Sequence, residues 1–273
     1  MNREPPREVV EYYTRVEEES RLTVGSSQLE FERNKELIKR LIPSRAADIF
    51  DVGGAAGAYA FWLSSLGHRV HLVDATPRLI EHARRQNISS AHPLASIGIG
   101  AAGSLSFEDE SADVVLLFGP LYHLPHREDR IAALQEARRL LRREGVILAA
   151  GISRYAGTLD GLALNPAFDE QVANMRHRAV VDGQYRNDTG NPRYFVTAYL
   201  HRPEDLSEEL TDVGYRNVRV FGVEGPGWLL LDFDTRWNNP ELRQGILTVA
   251  RLLEEERSII GASAHLLGVG VKA

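Results

Sequence analysis

The fold class that the sequence predicts is α/β, a doubly wound and mainly parallel sheet covered by helices on both faces. Three observations lead there. The apolar run Ile49 to Val52 passes into the small-residue loop Gly53-Gly54-Ala55-Ala56-Gly57 and then into an amphipathic stretch ending near Leu66, so that strand, loop and helix form one unit. Short apolar runs then alternate with helical stretches as far as Ala150, and alternation of this kind builds a parallel sheet. The apolar runs also deliver chemistry at their ends: Asp51 just before the loop, Asp74 after the second run, Tyr122 and His123 after the fourth. Ligands of open parallel sheets bind beyond the carboxyl ends of the strands, so these residues are expected around one crevice.

Taken in order, Val9 to Leu41 has helical spacing with a break at Gly25-Ser26-Ser27, and Pro43 ends the second helix. The acids Glu17, Glu18, Glu19, Glu30 and Glu32 read as a solvated face, whereas Tyr12, Tyr13 and Arg33 are candidates to face inward over a ligand. An arginine there suits a carboxylate, which it holds by a bidentate pair. Arg69 to Asp74 is a second buried strand, Thr76-Pro77 opens a helix over Arg78 to Gln86, and Ala95 to Gly100 is a third strand. Asp74 follows the loop by about twenty residues, the place where a strand-end carboxylate accepts hydrogen bonds from ribose hydroxyls; a helix N-cap is its alternative role. Asp113 to Phe118 forms a fourth strand that stops at Gly119-Pro120. A helix over Arg130 to Arg143 shows one apolar face at Ile131, Leu134, Ala137, Leu140 and Leu141, and Val146 to Ala150 is a fifth strand.

From Ser153 to about His201 the pattern loosens into weak helices near Gly157 to Leu164 and Phe168 to Val181, then a polar stretch. Tyr155, Arg176, His177, Tyr185 and Tyr194 are its candidates for lining a crevice. A helix starts at Pro203 with acids near the positive end of its dipole and stops at Gly214. A strand over Asn217 to Val223, a helix over Pro240 to Arg257 and a strand over Ala264 to Val271 follow. The 273 residues, 43% hydrophobic and 26% charged, suit one elaborated domain. A net charge of -6 gives no field to draw the protein to nucleic acid or an anionic membrane, and the lack of cysteine excludes disulfides, thiolate metal sites and a cysteine nucleophile. No apolar run has the length of a membrane span and the N-terminus lacks a signal-peptide core, so a cytoplasmic setting is expected. No metal site is expected, because no His/Asp/Glu cluster at ligand spacing falls near the crevice.

The loop spacing separates two nucleotide-binding families. Against G-x-G-x-x-G, counted from Gly53, the chain offers Gly53, Ala55 and Ala58, one glycine of three. Against acid-x-G-x-G-x-G it offers Asp51, Gly53, Ala55 and Gly57, and in this it resembles motif I of the class I S-adenosylmethionine-dependent methyltransferases. Gly119-Pro120-Leu121-Tyr122-His123-Leu124 resembles the motif IV region of small-molecule members, in a bacterial subgroup. The resemblance runs from Tyr12 to the end of the sequence. It implies a three-layer Rossmann-like sheet of seven strands, the last antiparallel, in a single domain over 1–273, with an N-terminal helical lid (1–45), a core sheet (46–153 and 203–273) and a substrate-binding insert after strand five (154–202). It further implies cofactor contacts at Tyr13, Arg33, Asp51, Gly53, Gly54, Ala55, Gly57, Asp74, Ala75, Ala102, Gly103, Phe118 and Gly119. Ala101 stands where the family normally has an aspartate, which leaves adenine recognition to backbone groups near Ala102 and Gly103.

The implied activity is methyl transfer from S-adenosyl-L-methionine to a nitrogen, oxygen or sulfur of a small molecule by in-line displacement. Positioning alone supplies roughly 7 to 11 kcal/mol of barrier reduction, so few catalytic groups are required. An acidic nucleophile also needs a base: His123 is the first choice and His201 the second, with Tyr122 shaping the pocket. A structural hydrogen bond is the equal alternative for His123. Two rival readings are an NAD(P)-dependent oxidoreductase and a non-catalytic protein that binds S-adenosylmethionine. The expected partner is a small-molecule methyl acceptor, and a homodimer is left open.

Overall fold

A strand buried on both faces needs apolar side chains in both directions, and β1 (Asp48–Val52) meets that condition, with every residue after Asp48 buried. In the computed structural model, which describes residues 5–163, 170–187, 189, 191 and 194–273, β1 lies near the middle of one sheet. It pairs in parallel with β2 (Arg69–Asp74) on one side and β4 (Ala112–Leu117) on the other, Val52 standing beside Val73 and Leu117. Beyond β2 lies β3 (Ser96–Ile99), and beyond β4 lies β5 (Leu141–Ser153), both parallel. The sheet is completed by β9 (His265–Lys272), antiparallel to β5, and β8 (Tyr215–Gly222), antiparallel to β9.

Side chains alternate across the sheet and so divide the core in two. Phe50, Val52, Val115 and Leu117 pack with Ala133, Leu134 and Ala137 of α5 (Arg127–Leu140) and with Leu206 and Leu210 of α8 (Pro203–Asp212). On the other face Ile49, Leu72, Val114 and Leu116 pack with Leu37 and Ile38 of α2 (Ser27–Leu41), Ala60 and Leu63 of α3 (Ala58–Ser65), and Ile80 and Ala83 of α4 (Pro77–Ile88). The three-layer architecture with an antiparallel end is the one expected. No helix among the described residues is long and apolar enough to cross a membrane.

The sequence expectation is amended in two places. Residues 198–201, expected only to lead into a helix, form β7, which runs beside the far end of β5 with Leu200 opposite Ile152; β6 (Gln184–Tyr185) pairs antiparallel with β7. Among the described residues the sheet therefore has nine strands, seven of them in the run β3-β2-β1-β4-β5-β9-β8. The first helix, α1 (Arg7–Arg15), ends well before Gly25, and a 3-10 turn over Glu18–Thr23 separates it from α2. Arg78 is the cause: its guanidinium donates to the carbonyls of Tyr13 (3.1 Å) and Val16 (2.7 Å), replacing helical donors there. The weak helices of the insert are α6 (Ala156–Ala163) and α7 (Glu170–Asp182); the expected boundaries at Leu164 and Phe168 lie outside the described residues.

Candidate active site

At the carboxyl end of β1 the chain must reverse beneath a helix start, and it does so through Gly53 (φ +73°), Ala55 (φ +51°) and Gly57 (φ +88°), all left-handed. Only glycine fits at 53, because a Cβ there would stand 2.5 Å from Cδ of Pro120 in the loop after β4. The two loops thus touch through bare backbone. Asp74, at the end of β2, fixes the turn: one carboxylate oxygen accepts from the Ala55 amide (2.9 Å) and the other from the Thr76 amide (2.8 Å). Burial pushes the Asp74 carboxyl above its ordinary pKa, and these two donors oppose the shift.

A cavity opens over these strand ends. Gly53, Ala55, Asp74 and Ala75 form one wall, Gly100 to Gly103 a second, and Phe118, Gly119, Pro120, Tyr122 and His123 a third. Val9, Val10 and Tyr13 of α1, with Glu18 and Arg21 of the following turn, lie over it. The covering segment is fastened from α4, where Arg78 bonds the Glu19 carboxylate as well as the two carbonyls.

Tyr13 and His123 meet across this cavity, the phenol oxygen 2.9 Å from Nε2. His123 Nδ1 faces the Thr197 carbonyl at 3.4 Å, an acceptor only, so Nδ1 carries the proton and Nε2 accepts from the Tyr13 hydroxyl. Burial pushes the imidazole pKa down to about 4, which keeps His123 neutral. The rings of Tyr13, Tyr122 and Phe195 surround it at centroid distances of 5.3, 4.7 and 5.5 Å.

Arg21 is the cation of the cavity. Its guanidinium donates to Glu18 (2.7 Å) and grips Glu30 with both terminal nitrogens (2.6 and 3.1 Å). Behind Glu30 stands His265, with Nδ1 2.5 Å from Glu224, and the two carboxylates raise the imidazole to about 9. Glu30, Glu224 and His265 place potential ligand atoms within 4.8 Å of one another. Arg21 bonds Glu30 and His265 bonds Glu224, so the cluster forms a charge network behind Arg21.

Of the residues singled out in the sequence, Tyr13, Gly53, Ala55, Asp74, Ala75, Ala102, Gly103, Phe118, Gly119, Tyr122 and His123 line the cavity. Asp51, Gly54 and Gly57 lie beneath the loop instead. Asp51 is fully buried against Gly54, neither carboxylate oxygen has a hydrogen-bond partner, and burial together with Asp74 raises its pKa from 3.8 to about 7. Arg33 is a correction. It is 1% exposed and held away from the cavity by Glu36, Glu254 and the Val223 carbonyl, so it has no free face for a ligand. His201 is a second correction, fully buried with Nε2 3.4 Å from Glu209, which Arg130 also grips. None of the insert's candidate side chains lines the cavity among the described residues; Tyr185 packs on Phe195 and Arg176 lies against Gly161. Glu18, read in the sequence as part of a solvated face, lines the cavity instead, and Arg21 went unnoticed; both sit on a 3-10 turn with no periodic signal.

The methyltransferase domain family matches this chain over residues 50–149, which hold β1 to β5 and the loops described above. No curated protein matches the chain in sequence. Among solved structures, an S-adenosylmethionine-dependent methyltransferase from Methanosarcina mazei is similar at 17% identity, with 86% of this chain and 94% of that one covered and a TM-score of 0.56. A possible histamine N-methyltransferase from Thermotoga maritima is similar at 17% identity, 96% and 98% coverage and a TM-score of 0.56. Phosphoethanolamine N-methyltransferase 2 of Haemonchus contortus, in complex with S-adenosyl-L-methionine, is similar at 17% identity, 89% and 52% coverage and a TM-score of 0.55. At such identities these structures share the fold alone. Residues 50–149 of this chain match a methyltransferase domain, and the structures that share its fold include S-adenosylmethionine-dependent methyltransferases.

Proposed function

We propose that this enzyme transfers a methyl group to a nitrogen, oxygen or sulfur of a small molecule, with the acceptor held beside the Tyr13–His123 pair. The residues present fit the cofactor. Gly53 leaves the space that a Cβ would fill, Asp74 turns a carboxylate toward the cavity for ribose hydroxyls, and the backbone of Ala102 and Gly103 borders the place for an adenine. Arg21, bonded to Glu18 and Glu30, is the candidate cation for the cofactor carboxylate because it lines the cavity, which Arg33 does not. Asp51, unpaired beneath the loop, supplies a counter-charge for the cationic end.

Bound there, the cofactor supplies a methyl carbon made electrophilic by its sulfonium. The chain's own task is to hold the acceptor in line and take up the proton that a nitrogen, oxygen or sulfur acceptor sheds. Tyr13 presents a hydroxyl that already donates to His123 Nε2; as the acceptor proton moves to the Tyr13 oxygen, the Tyr13 proton passes to Nε2. The Thr197 carbonyl holds the imidazole in the accepting tautomer. The observation that carries the proposal is this 2.9 Å contact between the covering helix and the loop after β4. Phe195, packed on both His123 and Tyr12, supports a role for the 154–202 insert in enclosing the acceptor. Two of the structural relatives are described as acting on amines, which accords with an acceptor that sheds a proton. A single domain in the cytoplasm is part of the same reading.

Calorimetry with S-adenosyl-L-methionine, followed by an acceptor screen with labelled methyl donor, tests the proposal. The variant His123→Ala is expected to bind the cofactor as the parent does and to lose turnover by about 10²- to 10⁴-fold. Full turnover in that variant would assign His123 to structure.

A further inference from the structure

The covering helix α1 is held by little packing, since Val9 is its one buried residue. Among the described residues, hydrogen bonds join α1 to the rest of the chain at two points, and both involve Tyr13. The phenol meets His123 Nε2 at 2.9 Å, and the backbone carbonyl accepts from a terminal nitrogen of Arg78 at 3.1 Å. The same nitrogen reaches the carbonyl of Val16, the residue that ends the helix, at 2.7 Å, and the Glu19 carboxylate engages both terminal nitrogens. Arg78 thus does for α1 what a basic residue of its own last turn ordinarily does. It satisfies two terminal carbonyls and sets a positive charge against the negative end of the dipole. Tyr13 is gripped at its backbone by Arg78 and at its side chain by His123.

Nothing in α4 itself accounts for an arginine at this position. Arg78 is the second residue of α4, after Pro77, and the first turn of that helix holds no acid. A cation there faces the positive end of its own helix dipole, which is unfavourable, and the guanidinium Nε is buried without a partner. The bonds that offset both terms all run to the covering segment. Arg78 does not line the cavity, so it does not touch a ligand bound there. Its helix nevertheless starts from the cavity wall: the Thr76 amide at the head of α4 donates to Asp74, whose other carboxylate oxygen holds the Ala55 amide. One short stretch of chain presents Asp74 to the cavity and, four residues on, Arg78 to the cover. We propose that Arg78 is a positioning residue: bonded to α1 from α4, it sets the Tyr13 hydroxyl on His123 and keeps the pair assembled over the cavity, a role that rests on the reading of that pair as the proton relay. A drift of about 1 Å in α1 takes the 2.9 Å contact beyond hydrogen-bond range, and Arg78 is what opposes that drift at the backbone of Tyr13 itself.

The titration of His123, followed by nuclear magnetic resonance in the full chain with isotope-labelled histidine and saturating S-adenosyl-L-homocysteine, tests the inference without an acceptor. His123→Ala assigns the signal. The groups that face the imidazole are Tyr13 from α1, Tyr122 beside it, and Phe195 and the Thr197 carbonyl from the insert, and burial among them holds its pKa at about 4. In Arg78→Gln α1 drifts and water reaches the ring, so the titration is expected to rise by about two pH units, toward the ordinary 6.5. Tyr13→Phe, which keeps an aromatic ring over the imidazole, is expected to titrate as the parent does. Glu19→Gln, which loosens the guanidinium and leaves Arg78 in place, should raise the titration in the same direction by less. Turnover of Arg78→Gln on the acceptor panel with labelled methyl donor is expected to fall by about tenfold or more, and Arg78→Lys, which keeps a cation and a donor, to recover part of it. A variant Arg78→Gln that loses stability but keeps the parent's His123 titration overturns this role and leaves the relay standing. Full turnover in His123→Ala, with the titration shifted as expected in Arg78→Gln, overturns the relay and this role with it.

Discussion

Replacing Asp51 by asparagine is expected to stabilise the fold, and to do so more strongly as pH rises. The carboxyl group is fully buried at the end of β1, neither oxygen has a hydrogen-bond partner, and Asp74 stands close enough to repel a second negative charge. The Ala60 amide at the start of α3 faces it and only tempers the effect. Its pKa is about 7 in the folded protein against an ordinary 3.8. Below 3.8 the group is protonated in folded and unfolded chains alike and costs nothing. As pH rises, the unfolded chain releases the proton first, so destabilisation grows until the folded group ionises near 7 and is constant above that. The linkage amounts to about 2 kcal/mol at pH 5 and about 4 kcal/mol at pH 8, and Asp51→Asn, similar in shape and uncharged, should return most of it. Urea unfolding of parent and variant across this range measures the difference directly. Saturating S-adenosyl-L-methionine should shrink the gain, because a cationic ligand restores a partner to the carboxylate and the asparagine cannot provide one. A gain of equal size at pH 5 and pH 8, or a variant less stable than the parent at pH 8, would refute the reasoning.

Three further predictions address cofactor binding. Arg21→Gln removes the cavity's charge-assisted donor and should weaken S-adenosyl-L-methionine binding by about 10- to 100-fold in calorimetry. Arg33→Gln should leave that affinity unchanged while lowering stability by about 1.5 to 3 kcal/mol, since it breaks a buried charge-assisted bond to Glu254, on which Arg40 remains. Gly53→Ala places a Cβ 2.5 Å from Pro120 in a left-handed residue; the loops must part, and cofactor affinity should fall by about tenfold or more while the far-ultraviolet circular dichroism is retained.

The parts of the molecule legible in the sequence are those in which local pattern and tertiary role coincide. The loop from Asp51 to Gly57 must be small wherever two loops touch through backbone, and the apolar runs of β1, β2 and β4 must be apolar on both faces. β7 escaped notice because its pairing depends on the overhang of β5 past residue 150, which no local pattern announces. Arg33 and Arg21 were equally plausible partners for a carboxylate as side chains. What separates them is distant in sequence: Glu254 folds back onto Arg33 and closes it off, whereas the 3-10 turn carries Arg21 over the strand ends. His201 was misjudged for the same reason, its partner Glu209 becoming a neighbour only once α8 packs on the sheet. The Tyr13–His123 contact joins residues whose individual promise was visible and whose meeting was not, since Arg78 decides where the first helix ends.

The placement of β9 bears on how the chain folds as it is synthesised. Strands β3, β2, β1, β4 and β5 can assemble in order of emergence, with the loop at Asp51 already formed, but β5 then presents an apolar edge whose pairing partners from residue 265 onward are still to come. Residues 146 and 271 are among the most widely separated pairs in the sheet, and closing so long a loop is slow, which leaves that edge open to other nascent chains. β9 contributes no residue to the cavity, so trimming it should yield a chain with every lining residue intact that aggregates before it can bind anything.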